Sequence, residues 1–207
     1  MSEANQRHPC SKKGYVMQKV FLASRSPRRS DLLTQIGLAH EIVKPHVREE
    51  LLEHELPHEL VARLAAEKLN VAAKKIKDKE GIIIAADTIV TYGGEILGKP
   101  RSMNDGAAML QKLSGKTHEV LTGFAIRDIK RDYTIVDYEA TTVEFRKLTD
   151  KEILKYSRLN ESRDAAGSYA IQGAAAKFVK RIEGEYANVV GLPVGRIMEI
   201  LTEEFDY

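Results

Sequence analysis

The sequence predicts an α/β protein with a curved, mixed central sheet, flanking helices and two lobes on either side of a cleft. Three observations lead there. Short apolar runs such as Val20 to Ala23 and the β-branched Ile82 to Ile84 alternate with stretches of helical period, the pattern of helices laid on a sheet. The two long strand-like runs "THEVLTGFAIRD" and "YTIVDYEATTVEF" are separated only by the polar "IKRD" and read as an antiparallel pair. No internal repeat or low-complexity linker interrupts the 207 residues, of which 43% are hydrophobic, enough for one sizeable core.

The elements follow in order. Val20 to Ala23 reads as a short buried strand, and Ser26-Pro27 supplies a helix N-cap and the proline favoured at the first helical position. Gly37 marks the end of that helix, and His40 to Val43 a second short strand. From Pro57 to Lys77, Leu60, Val61, Leu64, Ala65, Leu69 and Ala72 recur at helical spacing, so a long amphipathic helix is expected. Ile82 to Ile84 begin a central strand, and Gly93-Gly94 between "TIVTY" and "EIL" signals a hairpin. "SMNDGAAMLQKLSG" predicts a capped helix ending near Gly115. Thr149 and Glu152 have capping-box spacing, which predicts a helix over Thr149 to Ser157. A Gly/Ala-rich loop, "AAGSYAIQGAAA", leads to a strand at Lys177 to Ile182, and the last helix is expected from Pro193.

Composition excludes several classes. Thirty-two basic and thirty acidic residues are spread along the chain, so no general nucleic-acid footprint is indicated. One cysteine, Cys10, leaves no internal disulfide or zinc knuckle, in keeping with a reducing cytoplasm. The first seventeen residues lack the apolar stretch of a secretory signal, and no run approaches the roughly 18 apolar residues of a membrane span. Residues 1–17 are expected to be a disordered extension, and 18–207 a single domain. The six histidines show no metal-binding spacing, and no Walker loop, G-x-G-x-x-G or G-x-S-x-G motif occurs.

Five places carry candidate chemistry. In "VFLASRSPRRSDLL" a strand breaks into a helix whose N-terminal N–H groups, with the Ser24 hydroxyl and the Arg28 and Arg29 guanidinium forks, suit a phosphate; the plainer alternative is a capped surface helix with solvated arginines. Asp87, directly after "IIIAA", is expected at the end of a buried strand, where it could bind a divalent cation, take a proton from water, or merely cap a turn. Lys99 in "LGKP" is a phosphate ligand or a solvated loop lysine, and Glu49 and Glu50 lie in a polar loop that could supply a second metal carboxylate or are simply surface residues. Gln172 in "SYAIQG" carries both donors and an acceptor, so it can read the edge of a base or satisfy nearby backbone.

Taken together, "LASRSPRRSDLL", "AADT", "LGKP", "KLSGKTHEVLTG", "AGSYAIQG" and "VVGLP" resemble the Maf family of nucleoside triphosphate pyrophosphatases from about Val20 to the last helix. The resemblance implies a fold like that of the inosine triphosphate pyrophosphatases, a homodimer, Mg²⁺ or Mn²⁺ as cofactor, and cleavage of a nucleoside triphosphate into a monophosphate and pyrophosphate. By motif, Ser24, Arg28, Arg29 and Lys99 would hold the triphosphate, Asp87 would be the general base, and Glu49 and Asp87 would hold the metal. "AGSYAIQG" is similar to the branch acting on dTTP and UTP, in which Arg28, Thr88 and Gln172 would set specificity. A nucleotide-sensing regulator of cell division is the competing class; it needs the Ser24–Arg29 corner but not Asp87.

Overall fold

The computed structural model describes residues 18–78, 80–205 and 207; the predicted extension, 1–17, lies outside the described residues. Val20–Ala23 (β1), wholly buried, enters the turn to Pro27–Gln35 (α1), and the chain returns as Glu41–Ile42 (β2), shorter than the 40–43 expected. Pro57–Ala73 (α2) follows, then Ile82–Tyr92 (β3) and Glu95–Leu97 (β4). Met103–Leu113 (α3) precedes the antiparallel pair Thr117–Asp128 (β5) and Tyr133–Phe145 (β6). Asp150–Ser157 (α4) and Asn160–Arg163 (α5) lead through 3₁₀ turns to Val179–Glu183 (β7), then Tyr186–Val190 (α6) and Val194–Glu204 (α7).

The strands form one mixed sheet in the order β2-β1-β3-β5-β6-β7, with β4 attached to β3. β1 runs parallel to β2 and β3; the other pairings are antiparallel. Local chemistry fixes much of this. Gly93 and Gly94 both take positive φ, +60° and +83°, as a tight two-residue hairpin requires. The Thr149 hydroxyl accepts from the Glu152 N–H at 3.3 Å while the Glu152 carboxylate accepts from the Thr149 N–H at 3.0 Å, a complete capping box for α4.

Side chains alternate across β3, so its even and odd residues serve different cores. Ile82, Ile84, Ala86 and Val90 join α1, α3, α4 and α7 in the larger core, through Leu33, Leu110, Tyr156 and Ile197 among others. Ile83, Ala85 and Ile89 pack instead with α2. The six residues whose spacing predicts the inner face of α2 are the six it buries. The helix ends at Ala73, short of the expected Lys77. It lies hard on the sheet at Gly123 of β5, where an added Cβ would stand 2.2 Å from the Val61 backbone, so only glycine permits this approach.

Two further boundaries differ from expectation. The strand expected at Lys177 begins at Val179, because Ala174–Phe178 is a 3₁₀ turn that buries Ala175 and Phe178. Val194 opens α7, with Pro193 as the flanking cap. Among the described residues no helix is long and apolar enough to cross a membrane.

Candidate active site

The site begins as a gap in the sheet edge. β1 ends at Ala23, opposite Ala85, and β4 joins β3 only from Val90, so residues 86–89 of β3 have no strand neighbour on that side. On the other side β5 pairs without interruption, placing Gly123 opposite Asp87. Asp87 is therefore in the middle of a strand, not at its end as expected. The strand that ends here is β1, and its departure into α1 opens the sheet beside Asp87.

Arg29 fills that gap. Its side chain is buried, with Nε donating to the Gly191 carbonyl at 2.6 Å, one terminal nitrogen to the Ala86 carbonyl at 2.7 Å, and the other to the Thr88 hydroxyl at 3.0 Å. Burial pushes this guanidinium below its ordinary value, against the opposing pull of Asp87 and Glu49. Arg29, expected at the phosphate corner, thus stands on the cleft wall with its fork joining α1, β3 and the Gly191 turn. Thr88 is similarly committed. It faces the core opposite α2, and its hydroxyl meets Thr122 at 2.9 Å, whose own hydroxyl donates to the Asn188 carbonyl at 3.0 Å. Thr88 also lines the cleft, so this network forms part of its wall.

Asp87 points to the α2 face and is 6% exposed. It pairs there with Lys68 of α2, whose ammonium also lies 2.7 Å from Glu49. One lysine thus gathers the two carboxylates that the sequence suggests as metal ligands. Burial alone would push Glu49 upward, but the bond and charge of Lys68, helped by Lys99 and Arg29, hold it below the usual carboxylate range. The Glu49 loop is itself tied to α2: Arg63 donates to the Glu50 carbonyl at 2.9 Å and grips Glu55 with two bonds of 2.6 and 2.8 Å.

Ser26 occupies the N-cap of α1 but makes no side-chain cap; its own N–H donates to the Ser24 hydroxyl at 3.0 Å. Uncapped N–H groups therefore face the cleft, with Arg28 beside them. Arg28 donates to the Asp164 carbonyl at 2.9 Å, and Lys99 pairs with the Asp164 carboxylate at 2.5 Å. The Gln172 side chain is exposed on the same cleft.

The α1 corner, Glu49, Lys68, Asp87, Lys99, Asp164 and Gln172 line one cavity of about 830 Å³. Its chemistry is divided: cations and a helix N-terminus at the α1 corner and Lys99, a carboxylate pair around Lys68, and an uncharged wall of Ala165, Ala166, Tyr169 and Ile171 ending in Gln172. That arrangement can hold a polyanion, activate a water and seat a flat organic group. Two charged members were missed in the sequence. Lys68 lies at the i+4 and i+8 positions from Leu64 and Leu60, a charge on the apolar stripe of α2, and that misfit was a readable signal. Asp164 had none; it is one acid in a polar segment.

The profile of the Maf-like protein family matches residues 19–204. The chain belongs to the Maf family. Among its relatives, a dTTP/UTP pyrophosphatase of Bacillus cereus (strain ATCC 10987 / NRS 248) is 46% identical over 93% of this chain and 93% of that protein. A protein of the same name from Thermoanaerobacter sp. (strain X514) is 44% identical over 91% of this chain and 97% of its own length. The Staphylococcus aureus Ham1 protein superposes with a TM-score of 0.52, covering 90% of this chain and all of that one at 12% identity, so it shares the fold. The Maf motifs that are scattered in sequence, from "LASRSPRR" to "VVGLP", are brought together around the one cleft.

Proposed function

We propose that this Maf protein hydrolyses dTTP and UTP to the monophosphate and pyrophosphate. The observation that carries the reading is the convergence of Asp87 and Glu49 on one cationic point, in the same cleft as the uncapped α1 N-terminus. The names of relatives sharing 44–46% of its residues supply the nucleotide class.

Ser24, the free N–H groups of α1, Arg28 and Lys99 take the triphosphate oxygens, while Arg29 keeps the corner in shape. Asp87 accepts a proton from the water that attacks the α–β phosphoanhydride; an oxygen–phosphorus bond forms, the anhydride bond breaks, and pyrophosphate leaves. Glu49 and Asp87 fit a divalent cation such as Mg²⁺ or Mn²⁺, because they already meet at one cation and offer hard oxygen donors. Bound there, the ion would neutralise charge on non-bridging phosphate oxygens. Among the described residues no group of three or more His, Cys, Asp or Glu stands ready for a metal, so phosphate oxygens and water would complete its shell.

Gln172 pairs with N3–H and O4 of uracil or thymine, Arg28 acts beside it, and Thr88 contributes through the wall it builds with Arg29 and Thr122. The same reading takes residues 18–207 as one domain working as a cytoplasmic homodimer on the nucleotide pool. A panel of nucleoside triphosphates with Mg²⁺ and Mn²⁺, scored for pyrophosphate, tests it: dTTP and UTP should be preferred, and equal rates for purine nucleotides would refute the assignment.

A further inference from the structure

The loop that presents Gln172 is held from behind by a buried histidine that no step of the hydrolysis uses. His118 belongs to "KLSGKTHEVLTG" and projects from β5 into the larger core, where it is 2% exposed. Its Nε2 meets the Tyr169 hydroxyl at 2.8 Å. Its Nδ1 has no hydrogen-bond partner among the described residues. Phe145 stands edge-on to both rings, at 4.9 Å from His118 and 4.8 Å from Tyr169. Tyr169 is itself a cleft-lining residue, three positions before Gln172.

An imidazole in such surroundings is a poor choice for packing alone. Burial opposes its protonation, and a buried nitrogen without a partner carries a desolvation penalty that a similar-sized apolar side chain would avoid. The one polar bond it makes goes to the tyrosine of the nucleoside-facing wall. The segment around it is strained and multiply tethered: Ser168 takes φ +62°, held by its hydroxyl against the Ser162 hydroxyl at 2.7 Å, and the Ala170 N–H donates to the Tyr156 hydroxyl at 3.0 Å. A backbone in that state keeps its geometry only while its anchors hold, and Tyr169 links Ser168 directly to Ala170.

We infer that His118 is a positioning residue for nucleotide selection, latching the Tyr169 hydroxyl so that residues 169–172 present the Gln172 amide at a fixed place in the cleft. The inference rests on the dTTP/UTP reading for what Gln172 selects, but the latch itself does not depend on it.

The test compares wild type with Tyr169→Phe, which keeps the ring and removes the hydroxyl, His118→Leu, and His118→Gln, whose amide can reach the position of Nε2. Amide hydrogen exchange over 165–173 is measured first, with kcat and KM for UTP and CTP and the inhibition constant of tripolyphosphate. Tyr169→Phe and His118→Leu should speed exchange in that segment at least tenfold, raise the UTP KM about tenfold with kcat changed less than threefold, and shrink the UTP/CTP preference. Tripolyphosphate inhibition should stay within twofold, and His118→Gln should recover most of the loss. Unchanged exchange in Tyr169→Phe overturns the latch whatever the substrate, and altered exchange with an unchanged UTP/CTP ratio overturns its role in selection. Wild-type protein that releases no pyrophosphate from UTP would instead refute the function while the exchange data still judge the latch. Should His118→Leu fail to fold, Tyr169→Phe decides alone.

Discussion

Lys68 of α2 and Asp87 of β3 form an ion pair across the helix–sheet interface, with side chains only 12% and 8% exposed. Its position ties α2 to the candidate site: Gly123 lets the helix lie close enough for Lys68 to meet a carboxylate that sits in mid-strand. Charges so far out of water are costly unless paired, so each holds the other in place.

Asp87→Asn keeps the size of the side chain and removes the proposed base. Turnover of dTTP should fall by about 10³-fold, within the range for loss of a general base, while nucleotide binding persists. Calorimetric titration beside a pyrophosphate assay checks both, and undiminished turnover would refute the role.

Lys68→Met should act on stability and pH profile together. Removing one member of a buried pair leaves the other uncompensated, so the urea unfolding free energy should drop by about 3 kcal/mol. Glu49, freed from the partner that holds it low, should titrate at higher pH, moving the acid limb of the activity profile upward. An acid limb that stays in place would show that Lys68 does not tune this carboxylate.

Arg28 and Arg29 are adjacent in sequence but should behave differently. Arg29→Lys cannot reproduce bonds to Gly191, Ala86 and Thr88 together and should destabilise by about 3 kcal/mol. Arg28→Ala, at a partly exposed position, should raise KM about tenfold with stability within about 0.5 kcal/mol of wild type. Equal melting temperatures for the two variants would contradict the division of labour.

Asp164 holds Lys99 in an ion pair and, on the proposed reading, competes with phosphate for it. The pair is exposed, 58% on each side, so Asp164→Asn should leave stability nearly unchanged. It should lower the KM for triphosphates several-fold at low salt, with the gain shrinking as ionic strength rises. A raised KM would instead make Asp164 part of the binding surface.

Burial pushes the His118 pKa down to about 4 from an ordinary value near 6.5. The unfolded chain therefore takes up a proton that the native one refuses. The contribution is complete above about pH 6.5 and is lost as pH falls toward about 4, amounting to roughly 3 kcal/mol by the end. Urea midpoints at several pH values, compared with His118→Gln, should show a shallower acid decline in the variant; parallel curves would contradict it.

What the sequence made legible was mostly local. The apolar stripe of α2, the Gly93-Gly94 hairpin and the Thr149–Glu152 box each depend on residues a few positions apart, and each formed as read. The motif residues also converge on one cleft. The sequence did not disclose how each donor is used, because that is set by distant backbone: the carbonyl that takes Arg29 Nε belongs to Gly191, and without the gap between β1 and β4 the arginine could have faced solvent. Lys68 gave a signal as a charge on an apolar stripe but not its use, since such a lysine reads as a snorkelling surface residue until its two carboxylates are seen.

The most direct test of the central claim is the product balance from UTP with Mg²⁺, followed by phosphorus NMR. The proposed chemistry yields UMP and pyrophosphate in equal amounts, with the signal abolished in Asp87→Asn. Formation of UDP and orthophosphate, or pyrophosphate release that survives the loss of Asp87, would contradict it.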